Sequence, residues 1–225
     1  MSAPETGFPR APRMLHGGLV RLDPRTRQIV DVVVFQYNPD TLTRTIQPRS
    51  IGGEPGDRLE VLRLTGPPHE TLKFDAEIDA TEQLDHPDVD ANVPVAAHGL
   101  LPALAVLERL VTPSAKELLA VDALFDRGML EIAPMEAPLT VLVWGVKRVV
   151  PVAVSSLSIT EEAFSPSLQP IRVKASFECK VLTSSDLPLQ HLGGGLFIAY
   201  RQMVEQLATT VTGSDLRPLG LEHLP

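Results

Sequence analysis

The chain has 225 residues, a formal net charge of −8 and 44% hydrophobic residues, enough apolar material for one large domain or two small ones with a buried core. The acidic balance argues against nucleic acid as a partner, and no apolar run reaches the about 18 residues that a membrane span requires. A single cysteine, Cys179, excludes an internal disulfide and a cysteine-based zinc site. The first residues lack the apolar segment of a secretory signal, so we expect a soluble protein that is first kept in the cytoplasm.

Turn residues divide the N-terminal part into short elements. The 21 prolines and the 4% of aromatic residues favour many such elements around a core of Val, Leu and Ala. Reversals of the chain are predicted at DPRTR, residues 23–27, and at Asn38-Pro39-Asp40. The other elements predicted here are, in chain order, a flexible arm over 1–13, strands over 15–22, 28–37 and 42–47, and a mobile loop over 48–60.

The strand predicted over 28–37 is rich in valine and reads as buried on both faces along part of its length. Its second face lacks polar residues. At the edge of a sheet such a strand would be an aggregation hazard in a monomer. A neighbouring subunit that pairs with it or covers it would remove the hazard, so the strand is a reason to expect assembly.

The middle of the chain changes from a strand to helices. From Glu70 onward, apolar and charged residues alternate strictly, which predicts a half-buried strand with a solvated outer face. An acidic loop is predicted over 80–92. Leucines at helical spacing then predict a helix that has Pro102 in its first turn and ends at Pro113, followed by a second helix over 114–125.

The last third returns to strands. Residues 138–150, which contain the only tryptophan, read as one central strand, and two more strands are predicted over 152–160 and 170–182. The glycine triplet at 193–195 precedes an amphipathic helix and indicates a hinge or a helix start. The predicted fold is mainly β with α, a β-sandwich or barrel of six to seven strands in one domain. Its predicted parts are a β domain over 14–190 with a helical insert over 93–125, and a C-terminal helix and tail over 191–225.

No residue set predicts a catalytic centre, a cofactor or a bound metal. Asp85, His86, Asp88 and Asp90 resemble the start of a calcium loop. A calcium loop needs Gly at its sixth position and Glu at its twelfth, where this chain has Asp90 and Ala96. The cysteine lies on the apolar side of an alternating strand, where a thiol acts as a small hydrophobic group. The glycine triplet lacks the Lys-Ser/Thr of a phosphate-binding loop, so we expect no enzyme.

Three segments, in this order, resemble the tube-domain family of contractile injection systems, which are phage-tail-like particles. The first is FQYNPDTL at 35–42, the second GPPHETLKFDAEIDAT at 66–81, and the third runs from VWGVKRVV to FECKVL over 143–182. The resemblance covers about residues 15–182. Many members of this family carry a LysM module that binds peptidoglycan. The chain after Leu182 lacks the LysM motifs, so that activity is not carried over.

The resemblance implies a tail-tube-like fold and a role in assembly. It predicts a baseplate hub protein that joins the inner tube to the central spike and belongs to a ring, which is hexameric in related domains. The implied partners are other copies of the chain, the inner tube protein, the spike or hub protein and other baseplate proteins. The particle would be assembled in the cytoplasm and could be released.

Candidate subunit contacts lie in the first segment and in the acidic loop. Two alternatives stay open for Phe35 and Tyr37: they pack in the core before the turn, or they contact a neighbouring subunit. Asn38 is predicted to cap the turn through its side chain, and Pro39 to stop the strand. In a ring, loop 48–67 and the acidic loop 80–92, which carries Asp85 and Asp88, would reach neighbouring subunits, although solvated loops without a partner are an equal alternative.

Other functions are alternatives to this hub protein between tube and spike, here called the adaptor. The chain could instead be an inner tube subunit or a tube-terminating cap of the same particle, but the helices at 93–125 and at the C-terminus favour the adaptor. A glycan-binding β-sandwich would need exposed aromatic residues for sugar stacking, and this chain has one Trp and two Tyr.

Overall fold

The computed structural model describes residues 15–23, 25–50, 63–126, 137–211 and 213. Its strands are β1 Gly18–Leu22, β2 Ile29–Val34, β3 Leu42–Gln47, β4 His69–Asp79, β5 Leu139–Val143, β6 Val149–Phe164 and β7 Pro170–Val181. They form one seven-stranded antiparallel sheet in the order β2-β1-β5-β6-β7-β4-β3. The predicted class, mainly β with helices, is therefore confirmed. β2 and β3 are the edges of the sheet, and no pairing between them closes it among the described strands.

The predicted alternation in β4 and β7 is confirmed. Leu72, Phe74 and Ala76 of β4 are buried, and so are the apolar residues of β7 that pair with them. The charged residues between them face outward and form three ion pairs across the two strands: Lys73–Glu178 at 3.1 Å, Lys174–Asp75 at 2.9 Å and Arg172–Asp79 at 2.7 Å. Because opposite charges stand side by side, this outer face is balanced and solvated.

The single strand predicted over 138–150 is wrong, because the segment forms β5, a turn and the start of β6. Gly145 has φ +79°, a left-handed conformation that glycine adopts without steric cost. The turn is closed by a hydrogen bond of 2.8 Å from the Trp144 backbone N–H to the Arg148 carbonyl. Val146, at the tip of the turn, is 84% exposed. Apolar residues on both sides of the turn, at 141–144 and at 149–150, hide this reversal in the sequence.

Helices occupy the segment between β4 and β5. They are α1 Thr81–Asp85, α2 Val93–His98, α3 Leu101–Glu108 and α4 Ala115–Asp126, with a 3-10 turn at Asp90–Asn92. The predicted acidic loop is thus partly helical. α3 has Pro102 in its first turn, as predicted, but it ends at Glu108 and not at Pro113. Ser114 and Glu117 cap α4, since the backbone N–H and the hydroxyl of Ser114 both donate to the Glu117 carboxylate.

The C-terminal helix, α5 Leu192–Thr209, includes the glycine triplet in its first turn. A Cβ on Gly194 would collide with the Pro188 carbonyl, so glycine is needed where the helix packs against the preceding turn. Farther along, Tyr200 is buried and its hydroxyl accepts a 2.8 Å hydrogen bond from Arg44 of β3. Arg44 also holds the buried Glu70 at 2.7 Å, so this network joins the helix to one edge of the sheet.

Cys179 is fully buried in β7, as the alternation predicts. Burial raises the pKa of its thiol to about 12. The thiol is therefore a core group that stays protonated near neutral pH.

Two of the predicted flexible segments fall on residues that the structure does not describe. They are the arm over 1–13 and residues 51–60 of the predicted loop. None of the described helices is by itself long and apolar enough to cross a membrane. One pair, Asp90–His98 with Leu101–Glu108, passes that test together by length and composition, with a bend of 84°.

Candidate subunit interface

Residues 35–41, here called the crossing segment, connect β2 at one edge of the sheet to β3 at the other. Phe35 opens the segment and is only 3% exposed. Its ring centroid lies 5.4 Å from that of Phe74, 6.3 Å from Trp144 and 6.4 Å from Phe177. Of the two alternatives left open for Phe35, the structure gives core packing. These four residues, Phe35, Phe74, Trp144 and Phe177, form an aromatic cluster, and they come from all three segments that carry the resemblance.

Two side-chain amides of the crossing segment each form two hydrogen bonds with backbone groups of other segments. The Gln36 amide donates to the Asp79 carbonyl at 2.8 Å and accepts from the Asp79 N–H at 2.9 Å, at the end of β4. The Asn38 amide accepts from the Gly17 N–H at 2.8 Å and donates to the Leu15 carbonyl at 2.8 Å, just before β1. The predicted role of Asn38 as a cap of its own turn is therefore wrong, because its side chain binds residues about twenty positions earlier.

Replacing Asn38 with alanine is expected to lower the free energy of unfolding by about 1–2 kcal/mol, since two hydrogen bonds that fix the start of β1 are lost together. Asn38→Asp keeps the acceptor for the Gly17 N–H and loses the donor to Leu15, so a smaller loss is expected. Urea unfolding of the two variants and the parent chain gives the comparison. A loss below about 0.5 kcal/mol in Asn38→Ala would contradict this role.

The other predicted contact residues lie at the surface. Tyr37 is 53% exposed, Asn38 is exposed and Pro39 is half-buried. Asp85 ends α1 and Asp88 lies in the following turn, both exposed. Their loop starts directly after Asp79, the residue that Gln36 binds, so it begins beside the crossing segment. These five residues remain predicted contacts, and Phe35 does not, because its side chain is enclosed by its own subunit.

β2 presents an uncovered apolar edge. The prediction that this strand is buried on both faces is wrong: Val32 is 51% exposed and Val34 is 62% exposed. The physical reason is that Val32 and Val34 lie on the side of the sheet opposite to Val33, which packs against the core, and the edge position leaves them a neighbouring strand on one side only. Asp31, the only charged residue of β2, turns away from the exposed face. Its carboxylate contacts Arg21 of β1 at 2.9 Å and Arg109, next to α3, at 3.1 Å.

The opposite edge has a different character. β3 carries Thr43, Thr45 and Gln47 on its outward side, and all three are exposed. Arg44 faces the core side and binds Glu70 and α5 through Tyr200. β3 thus has a polar outward side and is held to α5 through Arg44, whereas β2 exposes valine side chains to solvent. The exposed valines of β2 were not among the residues singled out from the sequence, although the lack of polar residues on one face of the strand was the signal that could have found them.

Among the residues that the structure describes, no group of three or more His, Cys, Asp and Glu side chains could hold a metal ion. Neither the known protein-family models nor the curated proteins contain a match to this chain.

Proposed function

We propose that this protein is a structural, non-enzymatic component of a contractile injection system. In this role it is a baseplate hub protein that joins the inner tube to the central spike and assembles into an oligomeric ring. Its partners are then further copies of itself, the inner tube protein, the spike protein and other baseplate proteins. Assembly takes place in the cytoplasm, within a phage-tail-like particle.

The uncovered edge of β2 carries this proposal. Edge strands of monomeric proteins are commonly protected by charged side chains, proline or a covering element. β2 instead exposes Val32 and Val34, and the side chain of Asp31 is directed to Arg21 and Arg109. A surface of this kind favours a strand or an apolar face of another subunit.

The resemblance in three segments supplies the particular kind of assembly. Phe35, Phe74, Trp144 and Phe177 come from these segments and pack in one cluster, with ring centroids 5.0 Å apart for Phe74 and Phe177. The residues that resemble the family are therefore those that hold the crossing segment to the sheet. This supports the view that they specify a shared fold, and it leaves the exposed edge available for contacts between subunits.

The solution mass of the purified protein, measured by light scattering over a range of concentrations, tests the proposal. Negative-stain images of the same fractions show the shape of any assembly. We expect rings, formed by the chain alone or on addition of the tube or spike protein of the same particle. A monomer that binds neither protein would overturn the proposal, and open-ended stacks would identify a tube subunit instead.

A further inference from the structure

The turn between β6 and β7, residues 165–169 and here called the hairpin tip, holds a leucine in a left-handed conformation. Leu168 has φ +61°. In this region the side chain of most residues crowds the following carbonyl, so glycine or asparagine usually occupies it. The Leu168 N–H donates to the Ser165 carbonyl at 2.9 Å, and the Ser165 N–H donates to the Gln169 carbonyl at 2.8 Å. These bonds define a three-residue hairpin loop whose last position is commonly glycine.

Burial within the chain does not explain this leucine. Leu168 is 81% exposed, and Phe164, the last residue of β6, is 49% exposed. Arg27, in the turn between β1 and β2, has a similar φ of +60° and is exposed, but its guanidinium is hydrated, whereas leucine presents apolar surface to water. A residue that breaks a local rule and gains little burial in its own chain is a candidate for contact with another molecule.

The hairpin tip has a fixed base. The Gln169 side-chain amide donates to the Ala97 carbonyl of α2 at 2.7 Å, and the Leu100 N–H donates to the Pro170 carbonyl at 2.8 Å. The Ser165 hydroxyl accepts from the Gln169 N–H at 3.2 Å. Because these bonds hold the tip in place before any contact forms, little ordering is left to oppose its binding.

A cavity of about 210 Å³ lies next to β2, on the far side of α3 from the hairpin tip in chain order. Its apolar lining includes Leu110, Val111, Pro113 and Pro138. Val111 is 45% exposed, so the cavity can be reached from solvent. A cavity of about 150 Å³ with apolar walls is large enough for a benzene ring. This one therefore has room for a leucine side chain.

The cavity also has a cationic side. Arg21 and Arg109 line it, and both contact the Asp31 carboxylate of β2, at 2.9 Å and 3.1 Å. The Arg109 side chain is 56% exposed, which places its guanidinium at the rim. Glu117 is a further lining residue, and its carboxylate accepts two hydrogen bonds from Ser114. The exposed charge nearest to solvent is thus that of Arg109.

The strand that leads to the hairpin tip has the complementary charge. Glu161 and Glu162 are exposed and take part in none of the ion pairs among the described residues. Two cations of the adjacent β7, Arg172 and Lys174, are each held by an aspartate of β4. The tip therefore combines an exposed leucine with free carboxylates, and the cavity combines apolar walls with an arginine at its rim.

We propose that Leu168 of one copy inserts into this cavity of a second copy, with Glu161 and Glu162 towards Arg109. An apolar side chain that fits a cavity elsewhere on the same chain gives a head-to-tail contact between copies. The cavity adjoins the uncovered edge of β2, since Arg21 pairs in register with Asp31 of that strand. The inference rests on the assembly of copies proposed above and names one of its contacts.

Leu168→Asn separates a role in contact from a role in folding. Asparagine tolerates the left-handed conformation and removes the apolar side chain. The urea midpoint of the unassembled subunit should therefore rise, while the concentration at which half of the protein is assembled should rise at least about tenfold. Light scattering over a dilution series measures assembly under the conditions in which the parent chain assembles, alone or with the tube or spike protein.

Arg27→Asn is the matched control. It makes the same conformational change in the other turn with a left-handed residue and removes no apolar side chain. Its urea midpoint should also rise, and its assembly should match that of the parent chain.

Disulfide cross-linking tests the location of the contact. Leu168→Cys with Val111→Cys places one thiol on the tip and one in the cavity, so mild oxidation should give covalent oligomers on a non-reducing gel. Leu168→Cys with Val146→Cys, which is 84% exposed and lies outside the cavity, should give none. The parent chain has only Cys179, which is fully buried, and should stay unlinked.

Each outcome decides a separate point. Rings that form equally well with Leu168→Asn and give no covalent oligomers with Leu168→Cys and Val111→Cys would leave the assembly standing and overturn the contact. A lower urea midpoint for Leu168→Asn, or equal loss of assembly in Arg27→Asn, would also overturn it. If Leu168→Asn loses only its binding to the tube or spike protein, the leucine contacts that protein and not a second copy. Covalent oligomers in a protein that binds neither tube nor spike protein would support the contact and overturn the baseplate role.

Discussion

Phe35→Ala is expected to lower the free energy of unfolding by about 3–5 kcal/mol, the range for the loss of a buried phenylalanine. The side chain is 3% exposed and packs against Phe74, Trp144 and Phe177, so its removal leaves a cavity among three other aromatic rings. It also frees the start of the crossing segment. Urea unfolding followed by tryptophan fluorescence is a suitable measurement, because Trp144 belongs to the same cluster.

Tyr37→Ala is the matched control for Phe35→Ala. Tyr37 lies two positions farther along the same segment and is 53% exposed, so its loss should change the free energy of unfolding by no more than about 0.5 kcal/mol. Both variants are compared at a concentration low enough to keep the subunits unassembled, because assembly makes stability depend on concentration and Tyr37 remains a predicted subunit contact. Equal losses in the two variants would contradict the division into a core residue and a surface residue.

Val32→Lys combined with Val34→Lys is expected to prevent assembly. The two positions are 51% and 62% exposed, so lysine can be accommodated in the free subunit, and its charges oppose the approach of another strand. The concentration at which half of the protein is assembled should rise at least about tenfold, which corresponds to about 1.4 kcal/mol. Light scattering over a dilution series measures this change.

Val146→Lys gives the control for added charge. Val146 is 84% exposed at the turn between β5 and β6, away from both edges in the strand order. Assembly of this variant should match that of the parent chain. If Val146→Lys prevents assembly as strongly as the two substitutions in β2, or if the β2 variant still forms rings, then β2 is not the contact surface.

The sequence predicted the candidate subunit interface only in part. The valine-rich pattern of β2 suggested an assembly surface, yet it also read as a strand buried on both faces. These alternatives differ only in where the strand lies in the sheet. That position depends on pairing with β1 and on the absence of a second neighbour among the described strands. Periodicity within one segment contains no information on strand order.

The sequence also left alternatives open for two residues of the crossing segment. Phe35 and Tyr37 have the same spacing and similar size, and the sequence left both a core position and a subunit contact open for them. The structure buries the first and exposes the second. The bonds of Gln36 to Asp79 and of Asn38 to Leu15 and Gly17 could not be predicted, because each joins residues that become neighbours only after folding.

Local patterns by themselves determined the class of the fold, the alternating strands β4 and β7, the helix starts near Pro102 and Ser114, and the burial of Cys179. These features depend on periods of two or 3.6 residues and on the chemistry of single side chains. The tertiary structure alone decided the reversal at Gly145, the aromatic cluster and the two edges of the sheet. Those features arise from contacts between distant segments, and their positions follow from how seven strands are ordered in space.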